Sequence, residues 1–543
     1  MMRWSAVVGI LMLTPSAAAA QWLALDVPDR PQPTASLAED GRAIYDTHCW
    51  FCHGDDGDGL GPIAEYLWPR PRDFTIASFK LRTTPSGELP TDEDLFRTIS
   101  LGAPGTAMPA WRSVLKVKER WQVIAYLKTF ADGMFEDEAF DPYELVIDIG
   151  GPPRGSVESL IEAGRTVFEE SDCWECHGAA GRGDGPKADE LKDDWGYPMW
   201  ATDLELGWKF RGGSTPSETF LRLSTGLDGT PMPSYALTLT EEERWQVAYY
   251  VASLEEDGTR EGARPVVIPA MQVRGALPRH PTEEAWDEAA AIWIPLTGQA
   301  TYPPRWQIPA VTDLVVQAMY NTEEIALRVR WNDRAADSLQ TDSALGGVEG
   351  WTADDSYPVV LPDGERRRGR YRDVVEVMFP ATDHGPILPH FVYGDPGRPV
   401  DLWRWTATAD PEVAIASVEE LRAKGPKEPL ETQPADRQLA TGQGVWLDGR
   451  WTVVLRRPLA ADAPFQPGGL VPMAFHVRDG SNGETGLRMS LSSWYFLHLR
   501  EPAGASEALL VLLAVVGSVL VEYGVVRVMR RRARERRLQA FGV

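Results

Sequence analysis

A chain of 543 residues is too long for one hydrophobic core, and its length suggests about three or four domains. Its 79 acidic against 54 basic side chains leave a net charge of −25, which excludes nucleic acid as a partner. Only four cysteines are present, and one repeated motif takes all of them. None is left for an iron–sulfur cluster, a thiolate zinc site or a structural disulfide.

Residues 1–20 read as a signal peptide: Arg3, an apolar run from Ala6 to Leu13, and small residues ending Ala18-Ala19-Ala20. Pro28, Pro31 and Pro33 mark an extended leader. A first unit, 36–140, opens with a predicted helix through Gly41 to Tyr45 that delivers the chain to Cys49-Trp50-Phe51-Cys52-His53. Cys-x-x-Cys-His is the attachment signature of c-type haem. The thiols of Cys49 and Cys52 bond covalently to the two vinyl groups, and His53 presents its imidazole to the iron. A redox disulfide needs no following histidine. A structural zinc site wants a second Cys-x-x-Cys about 15–20 residues away. Downstream, Thr91 with Asp94 predicts a capped helix, then comes Gly105-Thr106-Ala107-Met108-Pro109, then an amphipathic helix through Trp121, Ile124 and Leu127.

A second unit, 156–256, repeats this order, with Cys173-Trp174-Glu175-Cys176-His177 as its motif. Cys49 to Cys173, Phe96 to Phe220, Met108 to Met232 and Trp121 to Trp245 are all 124 residues apart, which signals duplication. In each copy the first cysteine precedes the methionine of Gly-Thr-x-Met-Pro by 59 residues. An iron held by one histidine has an open sixth position, and a thioether there raises the potential. Met108 and Met232 are therefore the expected axial partners of His53 and His177. On these motifs both units resemble class I cytochrome c domains, small helical folds with His/Met haem.

The third unit, 265–500, changes to short alternating runs, among them Ile325–Trp331, Val374–Phe379 and Trp451–Arg456, separated by Gly-, Pro- and Asp-rich turns. Four segments carry a further likeness: Arg330-Trp331-Asn332-Asp333, Asp373 to Pro380, Gly394 to Trp405, and Ala474 to Gly480 running on to Ser492-Ser493-Trp494-Tyr495. They resemble the haem-b-binding domain of ethylbenzene dehydrogenase-type γ subunits of the type II dimethyl sulfoxide reductase family. That resemblance implies a non-covalent haem b held by a methionine and a lysine. Met378 falls at the methionine, but the lysine position is Met489. A bis-methionine haem, substitution by His476 or His390, or a domain without haem that serves only for docking all remain open.

Ala508 to Val526 is an apolar run with Glu522 as its only charge, and a cluster of seven arginines with one glutamate follows, leaving −31 on the preceding residues. The expectation is a transmembrane anchor over 507–528 and a cytoplasmic basic tail over 529–543. The expected fold class is multidomain: two all-α cytochrome c domains, an all-β sandwich-like domain, and one C-terminal transmembrane helix. The expected place is the periplasmic side of the bacterial inner membrane. The expected cofactors are two covalent haem c groups, to which the resemblance would add one non-covalent haem b. The expected function is electron transfer, with no catalytic residue of its own. By resemblance the partners are a molybdenum-containing catalytic subunit and an iron–sulfur subunit, with a soluble or membrane cytochrome at the other end. The acidic body suits basic docking surfaces, although acidity also makes an ordinary solvated exterior. The rival readings are a dihaem enzyme such as a peroxidase, and a dihaem cytochrome with a docking β domain.

Overall fold

The computed structural model describes residues 22–32, 34–131, 133–135, 141–255, 266–338, 371–382, 387–408, 415–459, 465–499 and 527. The first helical unit has three principal helices: α1 (Ala35–His48), α2 (Asp92–Leu101) and α3 (Val117–Lys128). Thr34 caps α1 by accepting from the Leu37 amide, and Thr91 with Asp94 forms the capping box that opens α2. The second unit repeats the set as α4 (Val157–Glu170), α5 (Pro216–Thr225) and α6 (Glu241–Ser253). Capping boxes at Thr215–Glu218 and Thr240–Glu243 start the last two.

In each unit the first and last helices cross at a glycine. A Cβ on Gly41 would lie 2.0 Å from the Gln122 carbonyl oxygen, and one on Gly164 would lie 2.0 Å from that of Gln246. Only hydrogen fits there, so the backbones touch. Beside each crossing an aromatic pair fills the core, Phe96 on Trp121 at 4.4 Å and Phe220 on Trp245 at 4.6 Å between ring centres.

The chain then becomes β: β1 (Val267–Gln272), β2 (Ile292–Pro295), β3 (Asp313–Tyr320), β4 (Glu324–Asn332), β5 (Val374–Pro380), β6 (Val400–Thr406), β7 (Glu419–Ala423), β8 (Thr441–Leu447), β9 (Arg450–Pro458), β10 (Leu470–Arg478) and β11 (Tyr495–Leu499). Hydrogen bonds run along the order β7-β6-β5-β10-β11-β1-β3-β4-β9-β8. β1 is parallel to both of its neighbours. The remaining pairs along this order are antiparallel. β10 is the bend. Its first half, Leu470–Met473, pairs with β11, and its second half, Ala474–Arg478, pairs with β5. One continuous sheet is thereby folded on itself around one core. Ile325, Leu327, Val329 and Trp331 of β4 all enter that core, as strand periodicity requires. Trp331, Trp405 and Trp451 meet there across the layers at 5.0–6.4 Å.

The transmembrane part of the expected fold class is corrected. Among the described residues no helix is long and apolar enough to cross a membrane. The longest, α1 and α4, have 14 residues each. At 1.5 Å per residue that is about 21 Å, against a hydrocarbon core of about 30 Å. The inner-membrane localisation rested on that helix and is withdrawn with it. Residues 1–20, 508–526 and 529–543 lie outside the described residues.

The units are locked together. Trp22 of the leader is buried between Leu81 of the first unit and Leu221 of the second. The guanidinium groups of Arg97 and Arg222 lie over its ring at 5.3 and 5.2 Å. Arg82 is wholly buried and donates to the Thr225 carbonyl at 2.9 Å, while pairing with Asp228 at 2.8 Å. Arg222 returns to the carbonyl of Arg82 at 2.8 Å. Between the second unit and the β unit, Glu205 pairs with Arg450 at 2.6 Å and Asp203 accepts from Asn332 at 2.6 Å. Lys209 pairs with Asp313.

Replacing Gly164 by Ala forces α4 and α6 apart. The expected cost is about 1–3 kcal/mol of overpacking, read as a lower melting temperature by circular dichroism, with the sheet signal melting later than the helical one.

Candidate functional site

The first cavity is lined by His48, Cys49, Cys52, His53 and Met108, with Leu67, Phe74, Phe79, Leu95, Ile99, Trp111, Val123 and Leu127 as apolar walls. Cys49, Cys52 and His53 sit on a single helical turn that follows α1 directly. The His53 ring stacks on Phe74 at 4.5 Å. Its Nδ1 lies 2.9 Å from the Arg72 carbonyl oxygen, which can only accept, so Nδ1 carries the proton and Nε2 keeps its lone pair. Burial pushes His53 below its ordinary range and favours the neutral form a metal requires.

Met108 is held by its own loop. The Thr106 hydroxyl donates to the Ala103 carbonyl at 2.7 Å and accepts from the Met108 amide at 3.1 Å. The Ala103 amide reaches back to the Met108 carbonyl at 3.1 Å. Gly102, at φ 71°, sits where a Cβ would come within 2.7 Å of that same carbonyl oxygen. These contacts explain the Gly-Thr-x-Met-Pro pattern. The threonine ties the loop, the glycines let it turn, and the methionine is aimed.

The second unit repeats these hydrogen bonds. His177 Nδ1 lies 3.0 Å from the Thr202 carbonyl, Thr230 donates to Leu227 at 2.6 Å, and Met232 donates its amide to Thr230 at 3.2 Å. Burial pushes His177 down as well. Met232 and Cys173 pack into one apolar cluster with Phe168, Leu204, Leu223 and Val247.

No disulfide joins the four cysteines. Burial pushes Cys49 up to about 12 and Cys173 up to about 11, and it raises Cys52 and Cys176 too. A redox or zinc pair needs the opposite, a stabilised thiolate. The donor set and the apolar walls fit haem c, with Cys49, Cys52, Cys173 and Cys176 as attachment points. His53 with Met108, and His177 with Met232, are the residues that would hold the iron.

In the β unit, Met378 and Met489 are fully buried in one apolar cluster with Val392, Leu402, Leu421, Ala474 and Leu491. Two soft thioethers thus share one apolar compartment. Arg478 meanwhile donates to the Met489 sulfur at 3.4 Å. Neither histidine is free to substitute. His476 has Nδ1 on the Glu376 carboxylate at 3.0 Å and Nε2 on the Phe391 carbonyl at 2.8 Å, so acceptors occupy both nitrogens. His390 Nδ1 accepts from the Val392 amide at 3.1 Å, which places its proton on Nε2. The wholly buried Glu376 is held well below the usual carboxylate range. Burial opposes this, but Arg478 and Arg404 outweigh it. The sequence reading missed this network, and the only sign of it was Glu376 standing inside an otherwise apolar strand.

Residues 36–127 match the family of cytochrome c oxidase, cbb3-type, subunit III, and residues 161–255 match cytochrome c. Residues 283–433 match ethylbenzene dehydrogenase. The chain joins two cytochrome c domains to an ethylbenzene dehydrogenase γ-type domain. It carries covalent haem c, and it is an electron-transfer cytochrome.

Over 222 residues it is 26% identical to a Haloferax mediterranei protein named as a respiratory nitrate reductase heme subunit, covering 40% of this chain and 67% of that one. Over 197 residues it is 27% identical to the dimethylsulfide dehydrogenase subunit gamma of Rhodovulum sulfidophilum, covering 35% and 62%. Over 240 residues it is 24% identical to the chlorate reductase subunit gamma of Ideonella dechloratans, covering 42% and 84%. The chain thus spans about two thirds of the length of the first two relatives. A chain of the reducing HAO-like protein complex of Kuenenia stuttgartiensis is 43% identical, covered in full by 43% of this chain, with a TM-score of 0.38.

Replacing Met108 by Ala opens the sixth position of one iron. The expected result is carbon monoxide binding by about half of the haem c, with the reduction potential of that centre lowered. Spectroelectrochemistry under carbon monoxide checks both, and unchanged spectra would refute the ligand assignment.

Proposed function

We propose that this cytochrome is a relay subunit. It passes electrons between a molybdenum-containing oxidoreductase, reached through its iron–sulfur subunit, and a cytochrome further along the chain. What supports the reading is that His53 and Met108 line one cavity and that His177 and Met232 recur at the same spacing in the second domain; as axial ligands they would leave no place for a substrate. When bound, the haem supplies a one-electron Fe(III)/Fe(II) couple. The protein holds the histidine neutral, fixes its ring through a backbone carbonyl, ties the methionine loop, and keeps water from the ligands with aromatic and aliphatic walls. The gamma-subunit relatives favour a place in a larger complex, and the net charge of −25 suits a partner with a basic face.

In the same reading the third domain holds a haem b between Met378 and Met489. A bis-thioether site stabilises the reduced iron and gives a high-potential centre.

Affinity purification of the chain from its native cells, followed by metal analysis, is expected to recover molybdenum together with iron in excess of three atoms per chain. Iron at two or three atoms with no molybdenum would count against the complex. A pyridine haemochrome spectrum of the matured protein, taken before and after acid–acetone extraction, is expected to show two retained haem c and one extracted haem b. Met378→Ala is expected to abolish the extracted portion alone. Nothing extractable from the unmodified protein would mean that the domain acts without haem.

A further inference from the structure

The first haem cavity has a wall that its own domain does not supply. Arg211 precedes α5 in the second domain, yet it lines this cavity beside Arg72 and Lys80 of the first. Arg70 also lines the cavity, with its guanidinium over the Tyr197 ring at 4.9 Å, and most of the remaining lining is apolar.

Buried cations are normally paired, and these are poorly paired. Arg72 reaches the Asp228 carbonyl with Nη2 at 3.5 Å and lies over the Trp195 ring at 5.3 Å. Its Nη1 is buried with no hydrogen-bond partner. Among the described residues, neither the Lys80 ammonium nor the Arg211 guanidinium has a hydrogen bond or an ion pair. Burial lowers Lys80 to about 7, and the neighbouring charges of Arg72 and Arg211 lower it further against the pull of Asp193 and Asp194. Burial likewise brings Arg72 and Arg211 down to about 10. Three like charges are therefore held within reach of one another, with no counter-charge in contact, at the edge of a cavity whose other walls suit a porphyrin. An anion belongs between them. A haem carries two carboxylates at one edge and hydrocarbon elsewhere.

We propose that Arg72, Lys80 and Arg211 form the propionate-binding edge of the first haem, so that a residue of the second domain completes the cofactor site of the first. The domains touch in the other direction as well. Arg82 of the first domain reaches the Thr225 carbonyl and Asp228, in the segment that leads to Met232. The propionate edge of the first haem then faces the second domain, and Arg211 sets the electrostatic potential there. These three cations are positioning residues. They touch the cofactor and do not ligate iron.

The test is potentiometric titration of the full-length holoprotein carrying Arg211→Gln. Loss of a cation beside the propionates favours the ferric state. The ferrous-to-ferric ratio of the first haem at fixed potential should fall about tenfold, a midpoint lowered by about 59 mV for a one-electron couple. That midpoint should also fall with rising pH across the neutral range, because a propionate left without its cation titrates there. The affected centre must be the one that Met108→Ala displaces. Arg211→Lys, which keeps the charge, should restore the midpoint. Unchanged midpoints, or a shift confined to the centre that Met232→Ala displaces, would overturn the proposal. Lys80→Gln lies on the first domain and gives the same readout should Arg211→Gln fail to mature.

Discussion

One hydrogen bond governs the chemistry of each cytochrome domain: the ring Nδ1 of a histidine on a backbone carbonyl, at 2.9 Å for His53 and 3.0 Å for His177. It fixes the tautomer, points Nε2 into the cavity and prevents rotation of the ring. The carbonyl must stand at the right height, so the strands of coil that carry Arg72 and Thr202 must be anchored. The glycine-rich turns after each haem motif do this. The Gly57 carbonyl accepts from the Phe74 amide at 2.7 Å, and the Gly181 carbonyl accepts from Leu204 at 2.6 Å. The helix crossing at Gly41 or Gly164 then brings the last helix close enough to close the apolar walls. Methionine placement is the complement, set by a threonine hydroxyl that bridges the turn.

Much of this was legible because the chain states it twice. A lone Met-Pro or a lone Cys-x-x-Cys-His carries little, but equal offsets of 124 residues across four landmarks tie ligand to ligand. The capping box at Thr91 was readable from two residues three apart. The strands over 325–331, 374–379 and 451–456 followed from short runs bounded by turn residues, although burial along the first two is nearly continuous. What stayed hidden was everything that depends on contact between distant segments. Arg211 looks like an ordinary surface cation in the sequence, and nothing local says that it faces the other domain's cavity. Trp22, just before the proline-marked leader, is a buried wedge between domains, which nothing local in the sequence shows. The fold of one sheet onto itself at β10 could not be read either, because it depends on which half of a single strand pairs with which neighbour.

In the β domain the histidines are engaged elsewhere, for a physical reason. His476 and His390 are attractive ligands on paper, but a histidine binds metal only with a free nitrogen. The buried Glu376 recruits His476 along with Tyr393, Arg404 and Arg478, and that demand for satisfied polar groups takes the imidazole away from any iron. The thioethers of Met378 and Met489 carry no such competing duty beyond one weak acceptor role. The anchor expected over Ala508–Val526 finds no support: among the described residues no helix is long and apolar enough to cross a membrane.

Arg72 does two jobs at opposite ends of one residue. Its carbonyl steadies the ligand of the first iron, while its guanidinium touches Asp228 and Trp195 of the other domain. A duplicated gene begins as two modules, each able to stand alone. Here that independence has been lost. The first module, expressed by itself, would keep its covalent cofactor but not the surface that Arg72 leans on. Half of this tandem is therefore no longer a smaller version of the whole.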